Sequence, residues 1–193
     1  RSYRICKSVI AGKRNYKKVV LAHKNTLMTN LHELWLKIFQ EKIMAFPEIN
    51  ADVMNIDALL FELLSDPAKF EIIVAPGDLA DSIYTAGLFL QGSYGMAHIC
   101  EINPVKIGAF RIAQGSAVKI AGHNRANPLG AFIATIEMLK FLELDEAAEA
   151  VERALIQILQ KHLVTIDMGG LIGTEELGNY FCEFLKEQLS VIR

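Results

Sequence analysis

Three short apolar runs, each followed by a stretch with helical periodicity, constrain this chain more than any other feature. Residues 18–22 (Lys-Val-Val-Leu-Ala) follow a polar turn and give way abruptly to His23-Lys24. They read as a strand that delivers Lys24 at its carboxyl end. Residues 52–57 form a second run ending at Asp57, and Phe70 to Ala75 a third that is apolar apart from Glu71, as a strand buried on both faces requires. Between the first two, Asn30 with Glu33 three residues later resembles a capping box, and Leu31, Leu34, Ile38 and Ile43 recur near helical spacing up to Pro47. A short helix is predicted from Ala58 to Leu64, stopped by Asp66-Pro67, and another from near Asp78, after Pro76-Gly77 closes the third strand. Strands alternating with helices predict an α/β fold, a sheet with flanking helices.

The middle of the chain is punctuated by Gly92, Gly95, Asn103-Pro104, Gly108, Gly115 and Gly122, so residues 92–128 read mostly as loop, with one strand near Ile107 to Ala113. Loops of this kind often approach ligands. From Asn127-Pro128 onward the pattern is helical. Leu129, Phe132, Ile133, Ile136 and Leu139 form one stripe; Ala147, Val151, Leu155 and Ile158 a second; and Leu177, Phe181, Phe184 and Leu185 a third. The third helix is expected to begin at Thr174, with Glu175 and Glu176 favouring its dipole. There is no internal repeat, low-complexity tract or flexible linker. A single region with approximate sub-lobes 1–103 and 104–193, ending in a helical segment, is the expected organisation.

Composition narrows the function classes. The 193 residues are 52% hydrophobic and 22% charged, which suits a folded chain, and a net charge of −2 with a pI near 6.2 offers no field for a nucleic-acid backbone. Lys13, Arg14, Lys17 and Lys18 cluster, as residues that solvate a turn before a strand do. Cys6, Cys100 and Cys182 are far apart, odd in number and without metal-ligand spacing. They read as reduced thiols of a cytoplasmic or mitochondrial matrix protein. Charged residues interrupt every apolar stretch before it could span a bilayer, and no signal-peptide region follows Arg1-Ser2-Tyr3-Arg4.

One ordered series of motifs runs the length of the chain: His23-Lys24, Asp57, Pro76 to Asp81, Gly92 to Gly95-Met96-Ala97, Gly115-Ser116-Ala117, Ile120-Ala121-Gly122, Ala126-Asn127-Pro128 and Asp167-Met168-Gly169-Gly170. In order and spacing it resembles the isocitrate/isopropylmalate dehydrogenase family, in its C-terminal part. The resemblance implies oxidation of a 2-hydroxy acid with NAD or NADP followed by decarboxylation, with Mg²⁺ or Mn²⁺ holding the hydroxyl and carboxylate oxygens. It makes Asp57 and Asp81 metal ligands; by their residues alone, Asp57 equally serves as a helix cap and Asp81 as a solvated helical carboxylate. Lys24 resembles the lysine that assists proton transfer across a subunit interface, which implies a homo- or hetero-oligomer; otherwise it is a strand-end lysine in water. Gly115, Ser116, Ala117, Lys119 and Asn127 fall at the family's cofactor positions, although Asn127 equally caps its helix. Asp167-Met168-Gly169-Gly170 is most similar to mitochondrial NAD-type isocitrate dehydrogenase subunits, which favours isocitrate as substrate.

Departures from the family pattern point the other way. The segment HKAN reads His23-Lys24-Asn25-Thr26, and the Asn and Gly after Pro76 are Gly77 and Ala80. Four residues past Asp81, where the family usually places another metal-site carboxylate, stands Thr85. The cofactor loop HGSAPDIAG reads Gln114 to Gly122, so Gln114 replaces a histidine and Lys119 an acidic residue. Lys119 is either a cation for an NADP 2′-phosphate or a surface lysine. The resemblance places the arginines that clamp substrate and the tyrosine acid ahead of the matched region, and Arg4, Arg111 and Arg125 are not their equivalents. The expectation is a catalytically incomplete structural or regulatory subunit of an oligomeric assembly. The alternatives are an active dehydrogenase completed by sequence or a chain not shown, and a nucleotide-binding module without chemistry.

Overall fold

The computed structural model describes residues 17–24, 26, 28–103 and 107–191. Arg4, Cys6, Lys13, Arg14, Asn25 and Pro104 lie outside them. The chain divides into two compact units, one ending at Leu90 and the other beginning at Gln91.

The first unit is built on a parallel sheet. Strand β1 (Lys18–His23) lies between β2 (Asn50–Asn55) and β3 (Ile72–Val74), paired Val20 with Asp52 on one side and Val20 with Ile73 on the other. A central parallel strand must be covered on both faces, and Val19, Val20, Leu21 and Ala22 are all buried. Helix α1 (Thr29–Ile43) covers one face, setting Phe39, Trp35 and Leu36 against Val19 and Leu21. Helices α2 (Ile56–Ser65) and α3 (Gly77–Leu90) cover the other, packing Leu59, Leu63 and Ile83 against Val20 and Ala22. The α/β fold expected from the alternation is present.

Several local expectations are corrected. Helix α1 begins at Thr29 behind Met28, whose left-handed backbone (φ 49°) turns the chain into the helix without a side-chain cap. Asn30 therefore sits inside the first turn and there is no capping box. The buried line of α1 runs through His32, Trp35, Leu36, Phe39 and Ile43, while Leu34 and Ile38 face outward. The expected stripe was out of phase because the inner face begins with a histidine. Strand β2 ends two residues before Asp57, which falls in the first turn of α2, and β3 is only three residues long.

In the second unit, β4 (His98–Asn103) pairs antiparallel with β5 (Ile107–Ile112). Strand β4 falls where the sequence predicts loop, because His98, Glu101 and Asn103 interrupt its apolar residues; cross-strand pairing supplies what its sequence lacks. The division between the two units precedes this hairpin. Helices α4 (Leu129–Phe141), α5 (Asp145–Gln160) and α6 (Thr174–Val191) pack the expected stripes into one core with Leu129, Ile158, Leu177 and Phe181, except that the buried line of α5 starts at Ala148 and leaves Ala147 at its margin. Phe132 stacks on Phe181 with ring centres 3.8 Å apart, and Phe141 fixes α4 to Phe110 of the hairpin. Ala148, Ala150 and Ala154 are fully buried, which lets the α5 backbone approach its neighbours closely. Among the described residues, no helix is long and apolar enough to cross a membrane.

Candidate functional site

In an open α/β sheet, ligands gather at the carboxyl ends of the strands where adjacent strands send their helices to opposite faces. In the first unit β1 stands at that point, since α1 covers one face while α2 and α3, which follow its two neighbours β2 and β3, cover the other. Lys24 leaves β1 here and places Nζ 3.5 Å from Asp57 Oδ1, with 29% of the lysine side chain and 74% of the aspartate side chain exposed. Asp57 does not cap α2. Asn55 does, its Oδ1 accepting from the Asp57 amide at 3.0 Å, and the Asp57 carboxylate complements the helix dipole from the first turn. His32 sits beside the same edge, buried to 3% exposure, with Nδ1 accepting from the Lys24 amide at 3.4 Å and Nε2 at 3.3 Å from Asp78 Oδ2.

Asp81 lies one turn further along α3 from Asp78. Thr85, one turn beyond, donates its hydroxyl to the Asp81 carbonyl at 2.8 Å, so it is engaged with its own helix. Among the described residues, no three His, Cys, Asp or Glu side chains converge as metal ligands. A hard divalent cation takes about six oxygen ligands. The residues of this edge do not fit one by themselves: Asp57 faces a lysine ammonium, and the hydroxyl next along from Asp81 is turned back on the backbone.

In the second unit, the loop that the resemblance assigns to the cofactor follows β5. Gln114 is pinned where β5 ends, its Nε2 donating to the Tyr94 carbonyl at 2.7 Å while its Oε1 is buried without a hydrogen-bond partner. Gly115, Ser116, Ala117 and Lys119 are exposed, and the following turns are held by Ile120 to Ala117 and His123 to Ile120 backbone bonds of 2.9 and 3.1 Å. Asn127 is committed at both ends of its amide: Oδ1 accepts from the Leu129 amide at 3.0 Å, starting α4, and Nδ2 donates to Asp167 Oδ2 at 2.9 Å.

Asp167 is the centre of a polar knot that also receives the hydroxyls of Ser93 and Thr165, two buried residues. Burial alone would raise its pKa, but the bonds from Ser93, Thr165 and Asn127 outweigh that and hold the carboxyl below its ordinary value. A Cβ on Gly95 would lie 2.6 Å from Asp167 Oδ2 and would also strike Asn127, so only glycine fits there. A Cβ on Gly170 would run into the Val164 carbonyl. Gly95, Asn127 and Asp167, which stand far apart in the sequence, are thus one packing constellation.

A model of the isocitrate/isopropylmalate dehydrogenase family matches residues 4–181. The chain belongs to that family. Curated relatives include a 3-isopropylmalate dehydrogenase of Yersinia pestis, 31% identical over 92% of this chain and 49% of the relative, and one of Photobacterium profundum, 30% identical over 84% and 46%. The chain spans about half the length of these relatives. Among solved structures, isocitrate dehydrogenase from Methylococcus capsulatus superposes with a TM-score of 0.88 at 26% identity, covering 96% of this chain and 56% of that one. The dehydrogenase-like oxidoreductase fold is therefore secure in both units.

Within the family's fold, the structure brings Lys24 and Asp57 together. Sequence reasoning missed His32 and the hydroxyl partners of Asp167. The signal for His32 was its place at the head of the line through Trp35, Phe39 and Ile43. Ser93 and Thr165 carried none, because a buried hydroxyl has no sequence signature until its partner is known.

Proposed function

We propose that this chain is a structural or regulatory subunit of an oligomeric assembly in its family, catalytically incomplete by itself. The observation that carries this reading is the Thr85 hydroxyl. Where the family pattern has a carboxylate one turn beyond Asp81, this chain has a neutral group bonded to the Asp81 carbonyl. A divalent cation would meet one negative charge fewer and one ligand fewer. The oligomer rests on the family resemblance, in which a lysine at the position of Lys24 acts across a subunit interface.

Calorimetric titration of the full chain with Mn²⁺ tests the reading. Weak binding that Thr85→Asp tightens by about tenfold is expected. Tight binding by the unaltered chain, unchanged in Thr85→Asp, would overturn it. A second reading is an active NAD(P)-dependent decarboxylating dehydrogenase, with isocitrate or 3-isopropylmalate as substrate, completed by further sequence or by another chain. It is favoured by the Lys24–Asp57 pair, which keeps a proton-transfer group beside a carboxylate at the sheet edge.

A further inference from the structure

The paired part of β1 ends at His23, opposite Asn55, and pairing with β3 stops earlier, at Leu21 opposite Val74. The next amide, that of Lys24, is held instead by His32 Nδ1 at 3.4 Å. An imidazole nitrogen that accepts a hydrogen bond must keep its lone pair, so this contact calls for the neutral tautomer with its proton on Nε2. Nε2 faces Asp78 Oδ2 at 3.3 Å but is not aligned for a good hydrogen bond. The two ring nitrogens therefore face opposite demands: β1 needs an acceptor, and α3 presents a carboxylate that attracts a cation.

We propose that His32 is the positioning residue of this edge: its neutral imidazole holds the Lys24 end of β1, and uptake of a proton at Nδ1 releases that end. With Nδ1 protonated, two N–H groups point at each other, and the Lys24 amide loses its acceptor where the 3%-exposed ring admits little water. The imidazolium then gains the Asp78 carboxylate. Among the described residues, Lys24 after β1 and Asp78 of α3 meet the ring; Asp57 of α2 is paired with Lys24, and Glu33, next to His32 on α1, is exposed. Because Lys24 reaches Asp57 from the tethered strand end, protonation of His32 loosens that reach. The device is independent of whether the assembly turns over substrate.

Long-range ¹H–¹⁵N spectra of the full chain, recorded across the imidazole titration, test this directly. The expected result is the Nε2–H tautomer at high pH, with the Lys24 amide resonance moving at the same midpoint as the His32 ring. In His32→Asn, whose side-chain oxygen can replace Nδ1 as a non-titrating acceptor, the Lys24 amide should stay fixed over that range. An Nδ1–H tautomer, a Lys24 amide that ignores the His32 titration, or one that still titrates with that midpoint in His32→Asn would overturn the proposal.

Discussion

Replacing Asp167 with alanine removes the one acceptor shared by Ser93, Thr165 and Asn127. Ser93 is 7% exposed and Thr165 fully buried, so neither hydroxyl can readily turn to water. A buried hydroxyl left without its partner costs about 1 to 1.5 kcal/mol, and the two together about 2 to 3 kcal/mol. Asn127 is partly exposed and keeps its bond to the Leu129 amide, so it adds little. With a urea dependence of about 1.5 kcal/mol per molar, the unfolding midpoint followed by circular dichroism should fall by roughly 1.3 to 2 M. The effect carries a sign in pH. The folded-state pKa of Asp167 is depressed, so its ionised form stabilises the fold above the unfolded value of about 3.9. That contribution is lost as pH falls through the lower folded value. The gap between wild type and Asp167→Ala should therefore be constant above about pH 5 and narrow below about pH 4. A midpoint shift under about 0.3 M, or a gap that does not change with acidification, would refute the reasoning.

Other substitutions probe separate parts of the argument. Gly95→Ala should destabilise by about 1 to 3 kcal/mol, seen as a lower thermal midpoint, because the new methyl collides with Asn127 and Asp167. Asn55→Ala removes the side chain that caps α2 and should cost about 1 kcal/mol in the same melt, whereas Asp57→Ala, an exposed first-turn position, should cost less. Cys100 is half-buried and its thiol is pushed up to about 11 by burial and by the Glu137 charge, whereas Cys182 is exposed. Alkylation at mildly alkaline pH, mapped by mass spectrometry, should label Cys182 well before Cys100.

The strand–helix alternation carried most of the first unit into view, because apolar period and turn residues are local properties. It failed where a local property was ambiguous. The face of α1 was misphased because its inner line starts with His32, a residue counted as polar until its partners on β1 and α3 are known. Strand β4 was invisible because its apolar content is low and its identity rests on β5. The motif series found the family, yet the same residues carry different weights once folded. Asp167 and Gly170 suggested a substrate class from the sequence, whereas in the structure they hold Ser93, Thr165, Asn127 and Val164 in place. Thr85 was legible as a departure, but only the geometry shows its hydroxyl turned back on the helix.

Whether the chain is a non-catalytic subunit is tested most directly by following NADH or NADPH formation. The purified full chain, together with any protein that co-purifies with it, would receive Mn²⁺, NAD or NADP, and isocitrate or 3-isopropylmalate. The expected result is no reduced nucleotide above the blank that depends on Lys24. Turnover by the unaltered protein that Lys24→Ala abolishes would contradict it.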